Sequence, residues 1–408
     1  MKTLLLTGGR GVNMTPFSKT RPNSMIPIGG DYLIDHTLQS LKSAGIGSIN
    51  MVVGHKSEVL SNHLGDDHFS DGNIHVINQG KSSTIGSAML KAKDRFAPGD
   101  HFLLVYADIF STSNIFNLAL QAFGLHNEPT ALICLTQSGE KYGNVYLDGD
   151  MKITKIIEKP KKKAGLGNYV LAGVYVLPYR FFGYLKKTRG NMELALQQVL
   201  KKETLRAAIW EDNWLDMAFP WDVLAANRNI MELWNSTDIH HSVKLNETVI
   251  KGPVKICKNA EICTGSVLEG PAYLGPGSFV GHNVLIRPNT VIGSDCVIGQ
   301  GAELKNCAIF DNSTVGRLSF IGDSVVGAGV DIGAGTMTIN RKIDKKTVRV
   351  LINGKKIDSG LSKLGAFIGD GALVGASNII APGTIIQSEE RIEHNFSVPK
   401  STGTKGRK

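Results

Sequence analysis

From residue 250 onward one apolar position recurs at every sixth residue. It runs through Ile250, Ile256, Ile262, Leu268, Leu274, Val280, Ile286, Ile292, Ile298, Leu304 and Phe310. Neither an α-helix, with apolar positions three and four apart, nor a flat strand, with a period of two, produces that interval. A coil of short strands does, three to a turn, each sending one aliphatic side chain inward. The pattern returns at Val326 and Ile332, and again at Ile368, Val374, Ile380 and Ile386. The charged stretch between Asn340 and Gly360 breaks it and is expected to protrude as a loop or hairpin. The fold expected here is a left-handed parallel β-helix of hexapeptide repeats over residues 240–390.

The first 235 residues carry a different pattern. Apolar runs at Leu4–Leu6, Ile49–Val53, Ile74–Ile77 and His101–Val105 alternate with helical segments, one of them near Asp35–Ala44. Alternation of this kind predicts an α/β domain, Rossmann-like, with a mainly parallel sheet. In such sheets ligands bind beyond the carboxyl ends of the strands. An amphipathic helix over 221–235, with Val223, Leu224, Ala226, Ile230, Met231 and Trp234 on its apolar side, is expected to connect the two domains.

Composition adds three points. There are 46 glycines in 408 residues, above the usual share of about 7%, and they fall largely in the repeat region. The five cysteines form no C-x-x-C pair, which fits reduced thiols and a cytoplasmic location better than a disulfide framework. No apolar run approaches the roughly 20 residues that span a bilayer, and the short N-terminal one is not a signal peptide. The formal charge is +9. Lys400, Lys405, Arg407 and Lys408 lie in a Ser/Thr/Gly-rich stretch, so 391–408 is expected to be a basic disordered tail, solubilising rather than binding. The remaining excess suits anionic small molecules. No interleaved basic and aromatic pattern argues for nucleic acid, and none of these features argues for a membrane.

Candidate chemistry begins at Gly8, Gly9 and Gly11, directly after the first strand. Glycines there let the backbone approach a phosphate and aim N–H groups at it, although a tight strand-to-helix turn needs them too. Asp108, at the end of the His101–Val105 strand, is placed either to hold Mg²⁺ or to cap a helix.

The segment Gly8–Ile28 resembles the opening signature of the sugar-1-phosphate nucleotidylyltransferases, G-G-x-G-T-R-L-x-P-L-T followed by P-K-P-L-x-P-V. Gly8, Gly9, Gly11, Met14, Pro16, Ser18, Pro22, Met25 and Pro27 fit. Asn13 and Asn23 stand where that family has the arginine and lysine that hold the triphosphate. Arg10, Lys19 and Arg21 are nearby cations that would have to substitute, and Arg10 is carried as a catalytic candidate.

The resemblance extends through the domain in order. Gln79 with Gly86 and Ser87 is similar to the segment that reads the nucleotide base. Tyr142-Gly143 resembles the sugar-binding Y-G, and Glu158-Lys159-Pro160 the E-K-P whose glutamate and lysine hold the sugar and its phosphate. Without the rest, a lone E-K-P would read as an exposed turn. Asp108, and Asp216 in Trp214-Leu215-Asp216, correspond to the two metal carboxylates. Leu171 replaces an asparagine that touches the sugar. The resemblance implies Mg²⁺ as cofactor, and a nucleoside triphosphate and a sugar-1-phosphate as substrates.

The two-domain layout is similar to the archaeal type of the bifunctional N-acetylglucosamine-1-phosphate uridylyltransferase and glucosamine-1-phosphate acetyltransferase family. Arg287, Asn340 and Lys363 stand where that family binds sugar phosphate or acetyl-coenzyme A. Arg317 stands where it has its histidine base, and Phe320 where it has a tyrosine. A guanidinium stays protonated and cannot take a proton from a sugar amine, so acetyl transfer is doubtful while the anion-binding frame Arg287, Arg317, Asn340 and Lys363 persists. The family packs its coils as trimers.

Three functions follow. The first is nucleotidylyl transfer to a sugar-1-phosphate with release of pyrophosphate. The second is a non-catalytic regulatory paralogue that assembles with an active one, as in regulatory subunits of glucose-1-phosphate adenylyltransferases and of a translation-initiation exchange factor. The third is acyl transfer to another substrate with Asp331 as base. The coil serves as homotrimer or hetero-oligomer interface in each, or as a purely structural handle.

Overall fold

The computed structural model describes residues 1–70, 73–81, 84–136, 142–158 and 167–398. The chain forms two compact units, and their boundary does not follow the sequence. One consists of Met1–Arg10, Pro22–Met25 and Leu33–Asp216; the other of Gly11–Arg21, Ile26–Tyr32 and Met217–Lys408.

The first unit is built on a nine-stranded sheet. Lys2–Leu6 lies at its centre, parallel to Ile49–Val53 on one side and His101–Tyr106 on the other, with Ile74–Asn78 parallel beyond Ile49–Val53. Leu4, Leu5, Met51 and Leu103–Val105 are buried, as expected of strands covered on both faces. The other half of the sheet is mixed. The long strand Tyr169–Pro178 runs antiparallel to His101–Tyr106 and to Thr130–Leu135, and Gly143–Leu147 pairs antiparallel with Ile153–Glu158. The parallel half is the alternating part read from the sequence; in the mixed half Gly143–Leu147 and Ile153–Glu158 form a hairpin of consecutive strands, whereas Tyr169–Pro178 pairs with strands earlier in the chain. Helices cover the sheet: Leu33–Ser43, Ile85–Lys91, Ile115–His126 and Met192–Lys202 among them.

The second unit is the left-handed β-helix, three parallel sheets of eight strands each. Register between turns is regular, Ile256 opposite Leu274 and Leu274 opposite Ile292. Ile256, Ile262, Leu268, Ile286, Ile298 and Leu304 all lie in one buried core. Asn259, Asn283, Asn289 and Asn312 occupy left-handed backbone at turns, a conformation that asparagine tolerates better than most residues. Ser266, Ser278 and Ser313 donate hydroxyl hydrogens to Gly281, Gly293 and Gly327 carbonyls at 2.6–2.8 Å, so their burial leaves no polar group unmet.

The six-residue period slips once within the run. Ile292 pairs with Ile309, not Phe310. Ile309 enters the core, and Phe310, although only 2% exposed, packs on Phe17 with ring centroids 5.4 Å apart. The corner between Leu304 and Ile309 is one residue short, and so is that between Ile321 and Val326. The stretch that breaks the repeat holds an antiparallel hairpin, Arg349–Ile352 with Lys355–Asp358. Asn353 and Gly354, both at positive φ, make its two-residue turn.

Two expected boundaries move. The connector helix is Asp222–Met231 and belongs to the coil-containing unit. The coil also continues past residue 390, with strands Arg391–Ile392 and Ser397–Val398 pairing onto earlier turns. The rest of the expected tail, 399–408, lies outside the described residues. Among the described residues no helix is long and apolar enough to cross a membrane.

Ile298 is fully buried in this core. Ile298→Ala is therefore expected to lower unfolding stability by about 2–5 kcal/mol, the usual cost of a large-to-small change in a core that cannot collapse around the gap. Denaturant titration followed by circular dichroism reads this directly.

Candidate functional site

The strand His101–Tyr106 ends at the centre of the first unit, and Asp108 follows two residues later. The short strand Ile109–Phe110 then pairs antiparallel with Leu215–Asp216, bringing Asp216 opposite Ile109. Two carboxylates distant in sequence are thus held together by backbone pairing. Both line one cavity of about 650 Å³.

That cavity also takes in Gly143 and Glu158, which face each other across a β-hairpin. Gly143 is required there by close approach: a Cβ would lie 2.7 Å from Glu158 Oε2 and 3.1 Å from Leu171 Cδ1. Trp214 forms another part of the wall. Its indole N–H donates to the Ala172 carbonyl at 3.0 Å, and its ring meets Tyr142 edge-on, with centroids 5.4 Å apart. Asn191 caps the helix Met192–Lys202 by accepting from the Leu194 N–H at 2.9 Å, and brings Arg189, Asn191 and Glu193 to the cavity.

The electrostatics of this cavity are lopsided. Among the described residues, Asp108, Glu158, Glu193 and Asp216 line it, against one cation, Arg189. Burial pushes the Asp108 carboxyl up, partly opposed by a backbone hydrogen bond. Burial, then Tyr175 and the charges of Asp108 and Glu158, holds the Tyr106 hydroxyl well above its ordinary range. Tyr175 is raised for the same first reason. A desolvated carboxylate among other carboxylates favours a cation. The donor set fits Mg²⁺, which prefers hard oxygens and is commonly held by one or two carboxylates, with substrate phosphates and water completing its octahedron. Among the described residues no group of three or more His, Cys, Asp or Glu is placed to hold a metal ion by itself.

A second cavity of about 760 Å³ in the same unit is lined by Gly8, Gly9, Arg10, Gly54, His55, Asn78, Gln79 and Lys81, and shares Thr84 and Ile85 with the first. The Gln79 amide donates to the Gly8 carbonyl at 3.1 Å. A Cβ at either Gly8 or Gly54 would collide with the Gln79 side chain. The glycine turn therefore makes room for Gln79 as well as leaving backbone open.

The remaining expected residues separate into three groups. Gly86 and Ser87 line neither cavity. Gly86 packs against the Gly190 backbone, and Ser87 forms a reciprocal cap with Thr84 at the start of Ile85–Lys91, so the helix terminus accounts for that motif. Gly11 belongs to the coil-containing unit. Lys159 lies outside the described residues. Arg189 was not singled out from the sequence, since an arginine before glycine at a helix end reads as an ordinary C-terminal cap.

In the coil, Arg287 donates to Glu303 at 2.9 Å. The Asn340 amide donates to the buried Asp323 at 2.6 Å, as does that of Asn306, with the Lys305 ammonium 4.0 Å from the same carboxylate. Phe320 and Asn340 crowd Gly322. Arg317, Lys363 and Asp331 are exposed. Asn340 is thus already engaged by Asp323, and Arg287 by Glu303.

The nucleotidyl transferase family model matches residues 2–232, and a model described as the GMPPB C-terminal domain matches 268–357. The bifunctional sugar-1-phosphate nucleotidylyltransferase/acetyltransferase of Sulfurisphaera tokodaii is 33% identical over 99% of this chain and 98% of its own. The bifunctional protein GlmU of Methanococcus maripaludis is 34% identical over 98% and 95%. Among solved structures, a putative glucose-1-phosphate thymidylyltransferase of Bacillus anthracis superposes with a TM-score of 0.51 at 23% identity, covering 56% of this chain and 95% of that one. At that identity it speaks to the fold alone. With a family match over more than half the chain and relatives above 30% identity across nearly its whole length, this chain belongs to the nucleotidyl transferase family, in its sugar-1-phosphate nucleotidylyltransferase branch.

Proposed function

We propose that this protein transfers a nucleotidyl group from a nucleoside triphosphate to a sugar-1-phosphate, releasing pyrophosphate, in nucleotide-sugar synthesis. The observation that carries the reading is the pairing of Ile109 with Asp216, which gathers Asp108 and Asp216 on one cavity wall. In this reading Asp108 and Asp216 hold Mg²⁺, which when bound neutralises charge on the phosphates. Gly8, Gly9, Arg10 and Gln79 receive the nucleotide. Gly143, Glu158 and Arg189 receive the sugar phosphate, with Lys159 beside them by resemblance. Chemistry of this type depends on positioning and charge stabilisation more than on a protein base. Arg10 and Lys81 on the second cavity and Arg189 on the first are the described cations that serve that end where Asn13 and Asn23 do not.

For the coil the reading is assembly, as a trimer or with a paralogue, without acetyl transfer. Arg317 cannot act as a base, and exposed Asp331 is the remaining candidate for one. The test is pyrophosphate release by the purified protein with Mg²⁺ across a panel of triphosphates and sugar-1-phosphates, alongside acetyl-coenzyme A consumption with glucosamine-1-phosphate. Turnover in the first and none in the second is expected. Triphosphate binding without turnover would replace this reading with a regulatory, non-catalytic one.

A further inference from the structure

Within the second unit the segment Gly11–Arg21 is tied down along its length. Asp370 sits at a corner of the coil, where its Oδ1 accepts the Ala328 backbone N–H at 2.8 Å. Its Oδ2 accepts from the Arg21 guanidinium at 2.6 Å and from the Thr20 hydroxyl. The two charged side chains are only 13% and 11% exposed. The Arg21 guanidinium also lies 5.2 Å from the centroid of Phe310, and the other aromatic on that ring is Phe17. Ser388 donates to the Pro16 carbonyl at 3.3 Å. At the far end Asn353, at the tip of the hairpin, donates to the Val12 carbonyl at 2.9 Å.

Two consequences follow. Arg21 is already engaged by a buried carboxylate, so it does not supply the cation that Asn13 and Asn23 lack. The short corner before Ile309 is also what turns Phe310 outward to make an aromatic seat for this segment. The chain runs without a break from Arg10, on the wall of the second cavity, into Gly11.

We propose that Asp370 is a positioning residue for triphosphate binding. By fixing Thr20 and Arg21 it fixes the conformation of residues 11–21, and the coil thereby sets the affinity of the protein for a nucleoside triphosphate. The proposal rests on the nucleotidylyl-transfer reading for its ligand. A buried pair acts in this way because removing one partner leaves the other charged, desolvated and uncompensated, and the segment then gains by moving.

Asp370→Asn in the full chain, with Arg21→Lys as a milder second variant, tests it. Arg21→Lys keeps the charge and loses the planar guanidinium that donates to Asp370 and lies by the Phe310 ring. Amide hydrogen exchange over 11–21 is expected to quicken at least about tenfold in Asp370→Asn. Triphosphate affinity by calorimetry with Mg²⁺ is expected to fall about tenfold, and sugar-1-phosphate affinity to stay within about twofold. The double variant is expected to be no worse than Asp370→Asn, as for two residues acting through one interaction. Asp344→Ala, which removes an exposed pair with Lys342, is the unchanged control. Unaltered exchange over 11–21 overturns the anchoring. Equal loss of affinity for both ligands overturns the positioning role in favour of a general structural one. A wild-type protein that binds no triphosphate overturns the functional reading instead, and exchange alone then decides whether Asp370 anchors the segment.

Discussion

Asp108→Asn is expected to slow pyrophosphate release by about 10³-fold or more while leaving the fold intact. A carboxylate holding a metal contributes several kcal/mol of transition-state charge stabilisation, and each 1.36 kcal/mol is a factor of ten in rate. An amide keeps the shape and loses the charge. The effect on stability runs the other way. Burial raises the Asp108 carboxyl in the folded protein, so the folded state binds that proton more tightly than the unfolded chain does. Its contribution to stability therefore falls as pH rises through the carboxylate range. Toward neutral pH without metal the desolvated carboxyl therefore contributes less to stability, and asparagine removes that dependence. Melting curves are expected to show Asp108→Asn equal to or more stable than wild type without metal. The stabilisation that Mg²⁺ gives the wild type by binding the folded state alone should be absent in the variant. A variant that keeps full activity would end the metal assignment.

Arg189→Ala is expected to raise KM for the sugar-1-phosphate and leave KM for the triphosphate nearly unchanged. It is the described cation on a cavity lined by four carboxylates. A hydrogen bond to a charged partner contributes about 1.5–3 kcal/mol, which converts to roughly 10–150-fold in affinity. Arg189→Lys should recover part of it, since the charge returns without the paired donors of a guanidinium. Steady-state kinetics with each substrate varied in turn separates these outcomes. An equal rise in both KM values would place Arg189 in the scaffold and not at the sugar phosphate.

Legibility in the sequence divides along physical lines. The coil was readable because every turn repeats the same demand, one aliphatic side chain inward, and the demand leaves a period. The slip at Phe310 was not readable, because Ile309 and Phe310 are both apolar and either satisfies the pattern. Only the register against Ile292 decides between them. Asp108 and Asp216 could be singled out because each stands at a strand end with recognisable neighbours; that they line one cavity follows from the pairing of Ile109 with Asp216. Gly86 and Ser87 were expected on the nucleotide, but the same Thr-x-x-Ser spacing serves to cap a helix, and sequence spacing does not distinguish the two uses. Arg189 went unnoticed because its role depends on which cavity the end of a helix opens into. Nor did anything local mark Gly11–Arg21 as part of the coil's own unit. That follows from Phe17 meeting Phe310 and Arg21 meeting Asp370, partners with no sequence proximity to betray them.

The interleaved boundary limits how this gene can be cut. A truncated product ending near residue 235 would contain every strand of the nine-stranded sheet, yet it would leave Phe17, fully covered in the intact chain, without the aromatic ring it rests on. Arg21 would be left without its counter-ion. Such a fragment would present a greasy, charged flap to solvent, and the two halves of this enzyme family member should be handled as one inseparable folding product.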